Sequence, residues 1–147
     1  MRHYQIAAIP ADGIGPEVIE AGAEVLAALE KRQGDVAFGL TTFDWGSDHY
    51  KRHGIMMPKD GLEQLKPFDA IYFGAVGAPD VPDHITLWGL RLPICQGFDQ
   101  YANVRPTRIL PGLDAPREGP RRNLFFQGLL PVPQDRWTAI REGTGQT

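Results

Sequence analysis

"IPADGIGPEV", residues 9–18, takes an apolar run into two glycines, a proline and a glutamate within ten positions. Upstream, "YQIAAIPA" (4–11) reads as a short buried strand. Downstream, the period changes. From Pro16 to Arg32, Val18, Gly22, Val25 and Leu29 fall on one helical face, with Ile19 and Leu26 beside them. Pro16 suits a first helical position, where its missing N–H costs nothing. Glu17, Glu20 and Glu24 lie towards the N-terminus of this helix and Lys31 and Arg32 at its end, as the helix dipole prefers, and Gly34 stops it. Gly13 and Gly15 give G-x-G, but Val18 stands where a dinucleotide fingerprint needs its third glycine. The stretch is therefore a strand, a tight turn and a helix N-terminus. That is a generic platform for an anion or cofactor, or a tight connection with no ligand.

The alternation continues outward. Val36 to Phe43 is rich in β-formers and predicts a second strand, Ser47 to His53 a helical turn, and residues 58–65 a short helix ending before Pro67. In "FDAIYFGAVGAP" (68–79), Ala70 to Phe73 is a buried strand and Gly74 to Pro79 a glycine-rich exit. Residues 83–97 predict a helix that Pro93 kinks or breaks, and Val104 to Leu110 returns as a strand. Strands alternating with helices predict an α/β fold with a largely parallel sheet. Glycine exits from two neighbouring parallel strands point to the same sheet edge, where open α/β folds bind ligands.

The totals exclude more than they assign. The 147 residues, 42% of them apolar, suffice for one domain with a core. A formal charge of −3 gives no reason to expect nucleic acid or an anionic membrane as partner. The lone Cys95 forbids an intrachain disulfide and suits a reducing cytoplasm; without an activating base beside it, it reads as a buried thiol. No run is long enough for a membrane span. His49, His53 and His84 lack metal-ligand spacing, and the first two read as surface histidines. Arg91, Arg105 and Arg108 offer planar forks suited to carboxylates. Arg91, within the apolar "LWGLRLPI", needs an acid or an anionic ligand beside it, or a route to water.

Three motifs in order carry a resemblance. "PADGIGPEV" is similar to the P-G-D-G-I-G-P-E signature of the β-decarboxylating dehydrogenases, which include isopropylmalate, isocitrate, D-malate and tartrate dehydrogenases. "FDAIYFGAVGAP" resembles that family's cofactor loop, and "FDQYANVRP" its Y-A-N-L-R-P strand. "FDWGSDHY" and "VPDHITLWG" look most like the tartrate/D-malate branch. The resemblance implies an isocitrate/isopropylmalate dehydrogenase-like α/β fold, not a Rossmann fold, of which residues 1–112 are the N-terminal part of a two-domain protein. It implies an NAD-dependent oxidation of a small-molecule 2-hydroxy dicarboxylate, Mg2+ or Mn2+ as the metal, and a homodimer in full-length relatives. Matched residue by residue, Arg105 is a substrate arginine, and Asn103 lies beside the cofactor. Ile14, Gly77, Ala78, Pro79, Asp80 and His84 line the nicotinamide and its ribose. The family's other substrate arginine falls ten positions before Arg105, at Cys95 here. Arg91, one turn earlier on the same face, is the candidate replacement.

The remainder diverges. Residues 1–116 carry 10 basic and 15 acidic side chains, and residues 117–147 carry 5 and 3. Residues 113–147 are expected to be a disordered or frameshifted tail, with Leu124, Phe125 and Phe126 a patch without a clear partner. "RWTAIREGTGQT" (136–147) echoes the family strand D-W-V-V-V-R-E-N-T-E-G, which makes Arg141 a third substrate arginine. The family's catalytic tyrosine and lysine and its metal-binding aspartates match no residue of this chain. The expectation is an N-terminal portion that is inactive alone. The alternative is a non-catalytic fragment, or a pseudogene product, that at most pairs with a full-length relative.

Overall fold

The computed structural model describes residues 1–100, 102–106 and 124–128. They fall into two units, Met1–Gly97 and Phe98–Thr147. The first opens with strand β1 (Arg2–Ala11), helix α1 (Gly15–Gln33) and strand β2 (Val36–Thr42). Helices α2 (Ser47–His53) and α3 (Gly61–Leu65) lead to β3 (Ala70–Ala75). Then come α4 (Asp83–Thr86), a π-helical turn (Leu87–Arg91) and α5 (Leu92–Gly97).

The sheet is parallel, in the order β2-β1-β3. β1 is the middle strand, and Ile6, Ala7, Ala8 and Ile9 are buried in succession, as in a strand covered on both faces. β1 begins earlier than its apolar run because Arg2, His3 and Tyr4 pair with Val36, Ala37 and Phe38. Beyond β2, Phe43 packs against Trp45 and edge-on against Phe68.

Helix α1 lies on the sheet by a different face from the one its large apolar residues mark. Ile19 is buried, and Gly22, Ala23 and Leu26 are half-buried. Val18, Val25 and Leu29 are exposed. The small residues decide this. A Cβ on Gly22 would meet the Tyr72 hydroxyl at 1.8 Å, and that hydroxyl donates to the Val18 carbonyl. Glycine at positions 15 and 22 lets the helix backbone come close, and the packing line follows them through Ile19 and Leu26. The ends of α1 obey the sequence: Pro at its start, basic residues in the last turn, and Gly34 at φ 72 donating to the Glu30 carbonyl.

Pro93 does not end its helix. The Leu92 N–H reaches the Leu87 carbonyl, a π spacing. An α-turn there would set the proline ring against the Gly89 carbonyl, and the wider turn immediately before Pro93 relieves that clash. Leu90, Ile94 and Cys95 are buried on the inner side, Cys95 as a free thiol.

In the second unit β4 (Ala102–Pro106) pairs antiparallel with β5 (Leu124–Gly128). The strand begins two residues before its predicted start. The apolar residues 124–126 have a partner after all, since Val104 pairs with Phe126 and Arg105 with Phe125. Position 112, where the sequence changes character, lies outside the described residues.

Candidate functional site

β1 and β3 are adjacent and parallel, so the loops that follow them leave from one edge of the sheet. The first loop is Asp12, Gly13 and Ile14, and the second runs from Val76 to Asp80. They are joined. The Asp12 N–H donates to the Ala75 carbonyl (2.7 Å), and the Gly77 N–H donates to Asp12 Oδ2 (2.9 Å).

Gly15 shows what the glycines approach. A Cβ there would sit 1.9 Å from the Pro10 carbonyl oxygen and 2.8 Å from the Ala75 nitrogen. The close approach is to the ends of the protein's own strands. The N-terminus of α1 is thereby pressed into the seam between β1 and β3. Nothing lies within 4 Å of a Cβ added at Gly77, whose φ is 131. Ile14 is 62% exposed, an aliphatic side chain presented to solvent at the same edge.

Ala11 carries the strain. Its φ of 56 lies in the left-handed region, which L-residues other than Asn and Asp rarely enter. It stands where the signature P-G-D-G-I-G has a glycine. The turn at Ala11 sends the Asp12 side chain inward, where it is 7% exposed.

Of the other predicted residues, Ala78 is half-buried and Pro79 exposed in a tight turn in which the Val81 N–H donates to the Ala78 carbonyl. Asp80 is exposed and pairs with Lys51 of α2 at 2.7 Å. Hydrogen bonding to Lys51 holds the Asp80 carboxyl below the ordinary carboxylate range, and hydrogen bonding to Asp80 raises Lys51. The sign follows. The lowered acid keeps its contribution above about pH 4 and loses it as pH falls through its own value. The raised amine keeps its contribution below about pH 10 and loses it as pH rises through its own. The pair therefore stands throughout the neutral range, as a solvent-screened surface contact of small net worth.

His84, exposed on α4, forms part of the wall of an open cleft of about 410 Å3 with Tyr50, Met57, Ile85 and Trp88. Arg91 ends the π turn half-buried, and no hydrogen bond or ion pair joins its side chain to another residue among those described. A half-buried guanidinium in that state is suited to an anion from solution. Asn103 and Arg105 lie on β4, their backbones opposite Gln127 and Phe125. Arg141 lies outside the described residues. Among the described residues no three His, Cys, Asp or Glu side chains converge to hold a metal ion. The His49 and His53 rings lie tilted against each other with centroids 4.6 Å apart, and His49 Nδ1 is engaged with the Ile55 carbonyl at 2.8 Å.

Sequence reasoning missed Asp12, Ser47 and Lys51. Their signals were present: an acid between the glycines of the first loop, and the "WGSDHYK" that follows β2.

A three-stranded parallel α/β sheet with two glycine loops at one edge defines the class. Residues 5–125 match the family model described as isocitrate/isopropylmalate dehydrogenase, and the chain belongs to that family. It is 78% identical over 116 residues to a "Probable tartrate dehydrogenase/decarboxylase" of Agrobacterium vitis, covering 79% of this chain and 32% of that relative. It is 53% identical over 121 residues to the D-malate dehydrogenase [decarboxylating] of Escherichia coli (strain K12), covering 81% and 33%. The crystal structure of a β-decarboxylating dehydrogenase from Thermococcus kodakarensis, in its apo form, superimposes with a TM-score of 0.53 at 34% identity, covering 69% of this chain and 28% of that one. The chain thus spans about a third of the length of the curated relatives it matches. No described helix is long and apolar enough to cross a membrane.

Proposed function

We propose that these residues form the nicotinamide-facing part of a cytoplasmic NAD- and divalent-metal-dependent oxidoreductase of the tartrate/D-malate dehydrogenase type, which oxidises a 2-hydroxy diacid with decarboxylation. We propose also that the 147 residues alone do not turn over. The observation that carries the reading is the joined pair of loops at the edge of β1 and β3, in a chain 78% identical to a tartrate dehydrogenase-like relative.

The residues present fit the nicotinamide end of NAD. Ile14 offers an exposed aliphatic surface, and the space over Gly77 is open, which suits a flat ring lying against the loops. Ile14, Gly77, Ala78, Pro79, Asp80, His84 and Asn103 are the candidates to hold it. Bound NAD supplies a hydride acceptor. Arg91, Arg105 and Arg141 are the candidates to hold and orient the carboxylates of the diacid, so that its hydroxyl-bearing carbon is presented in one attitude. For Mg2+ or Mn2+ the described residues supply no ligand set, and no step is derived through the metal.

The test is a pair of proteins. The purified 147-residue chain, given NAD, Mg2+ or Mn2+ and either L-tartrate or D-malate, should yield no NADH above a heat-killed control. A chimera in which this chain's 116 matching residues replace those of the Agrobacterium vitis relative should yield NADH with one of the two diacids. A folded but inert chimera would falsify the assignment, and NADH from the short chain would overturn the claim of inactivity.

A second reading has one observation behind it: among the described residues β3 is paired only on its β1 side. An open strand edge is a template for another chain. On this reading the chain is a non-catalytic partner of a full-length, homodimeric relative. Co-purification with that relative supports it, and a monomer indifferent to the relative counts against it.

A further inference from the structure

We propose that Asp12 is a positioning residue, whose carboxylate fastens helix α2 and the Gly77 loop to the end of β1 and so sets the shape of the surface on which a cofactor lies. The inference rests on the functional reading above, and it deepens it by naming what holds the loop.

The carboxylate is buried and accepts three hydrogen bonds. The Ser47 N–H donates to Oδ1 at 2.7 Å, the Ser47 hydroxyl to Oδ2 at 2.7 Å, and the Gly77 N–H to Oδ2 at 2.9 Å. The Asp12 main chain is also fully used, its N–H on the Ala75 carbonyl and its carbonyl accepting from the Gly15 N–H. No ion pair among the described residues involves Asp12. The donors are therefore what compensate the burial of this charge, and hydrogen bonds to an ionised acceptor are about twice as strong as neutral ones.

Three segments far apart in sequence meet at this one group. Ser47 is the first residue of α2, and Asp12 supplies the acceptor that its orphan N–H lacks within the helix. Gly46 keeps the approach clear: its φ is 145, and a Cβ there would stand 2.8 Å from Asp12 Oδ1. One turn further along the same face of α2, Lys51 makes a surface ion pair with Asp80, so the helix meets the second loop at two points, at Gly77 through Asp12 and, weakly, at Asp80. The strained Ala11 is explained in the same terms. Its left-handed backbone turns Asp12 inward, and the three bonds that result offset the strain. Asp12 is buried and its carboxylate is engaged by the protein's own donors, which gives it a role through the loop and not on the reacting atoms.

Two measurements test the proposal. In the 147-residue chain, amide hydrogen exchange read by NMR should show Gly77 and Ser47 losing protection at least tenfold in Asp12→Asn, while Ala7 to Ile9 of β1 keep theirs. Ser47→Ala, which removes only the hydroxyl bond, should loosen Gly77 by about threefold. Unchanged Gly77 exchange in either variant overturns the proposal. So does an equal loss across β1, which would make Asp12 a general prop of the fold. In the chimera, Asp12→Asn should raise the KM for NAD about tenfold with kcat within threefold of the parent. A collapse of kcat at unchanged KM overturns it, since that is the signature of a group acting on the reacting atoms. An inert parent chimera defeats the functional reading and leaves the exchange measurement to decide the role of Asp12.

Discussion

Ala11 is the residue at which sequence and backbone disagree. A non-glycine residue in the left-handed region costs about 1–2 kcal/mol, and glycine there gives back part of the gain, about 0.5–1 kcal/mol, in unfolded-chain entropy. Ala11→Gly should therefore stabilise the chain by about 0.5–1 kcal/mol and raise Tm by about 1–4 °C in a calorimetric scan. A lower Tm would mean that the strain is only nominal. At this scale the sequence disclosed residue types but not their aim. Gly13, Gly15 and Gly77 were legible as turn residues, but the partner of Gly15 was not. A glycine signals that something comes close, and nothing local distinguishes a ligand from the protein's own Pro10 and Ala75. The carboxylate of Asp12 was likewise invisible as a fastening, because its partners lie 35 and 65 residues away.

Helix α1 shows how periodicity can give the right element and a face turned part-way from the true one. The helix spans Gly15–Gln33 against a reading of Pro16–Arg32, so its extent was legible from Pro16, the charge gradient and Gly34. Its orientation was legible only in part: the reading put Gly22 on the face with Ile19 and Leu26 beside it, but it also counted Val18, Val25 and Leu29, which are exposed. The glycines win, since they allow the shortest distance between helix and sheet. Ile19→Ala, at a position 6% exposed, should accordingly cost about 2–4 kcal/mol. Val25→Ala, at one 67% exposed, should change stability by no more than about 0.5 kcal/mol. Urea unfolding of the two variants checks this, and similar midpoints would restore the face read from the sequence. The helix from 83 to 97 was read with Pro93 as a kink or a break. The break is absent because one turn widens just before the proline, and such a turn has no sequence signature of its own.

For the molecule as a whole, the parallel α/β class was legible because each element has a strong local pattern, and the order β2-β1-β3 places both glycine loops on one edge. The pairing of β5 with β4 was not legible, since apolar residues 124–126 sit among prolines and charges without a period. The candidate site was legible as loops and illegible as a network. With a strand on either side, every amide in the middle of β1 has a neighbour to donate to, whichever way it points. Ala7, Ala8 and Ile9 should therefore be the slowest to exchange in the chain, and faster exchange there than in Leu40–Thr42 of the β2 edge would contradict the topology. The middle position of the first strand also has a consequence in time. On a ribosome, "IAAIP" emerges before either of the two strands it pairs with. Val36, which pairs with Arg2, follows 34 residues later, and Ala70, which pairs with Ile6, follows Ile6 by 64. At about 5–20 residues per second, that second wait is roughly 3–13 s. Through it, the buried run of residues 6–9 of the nascent chain has at best one of its two neighbours.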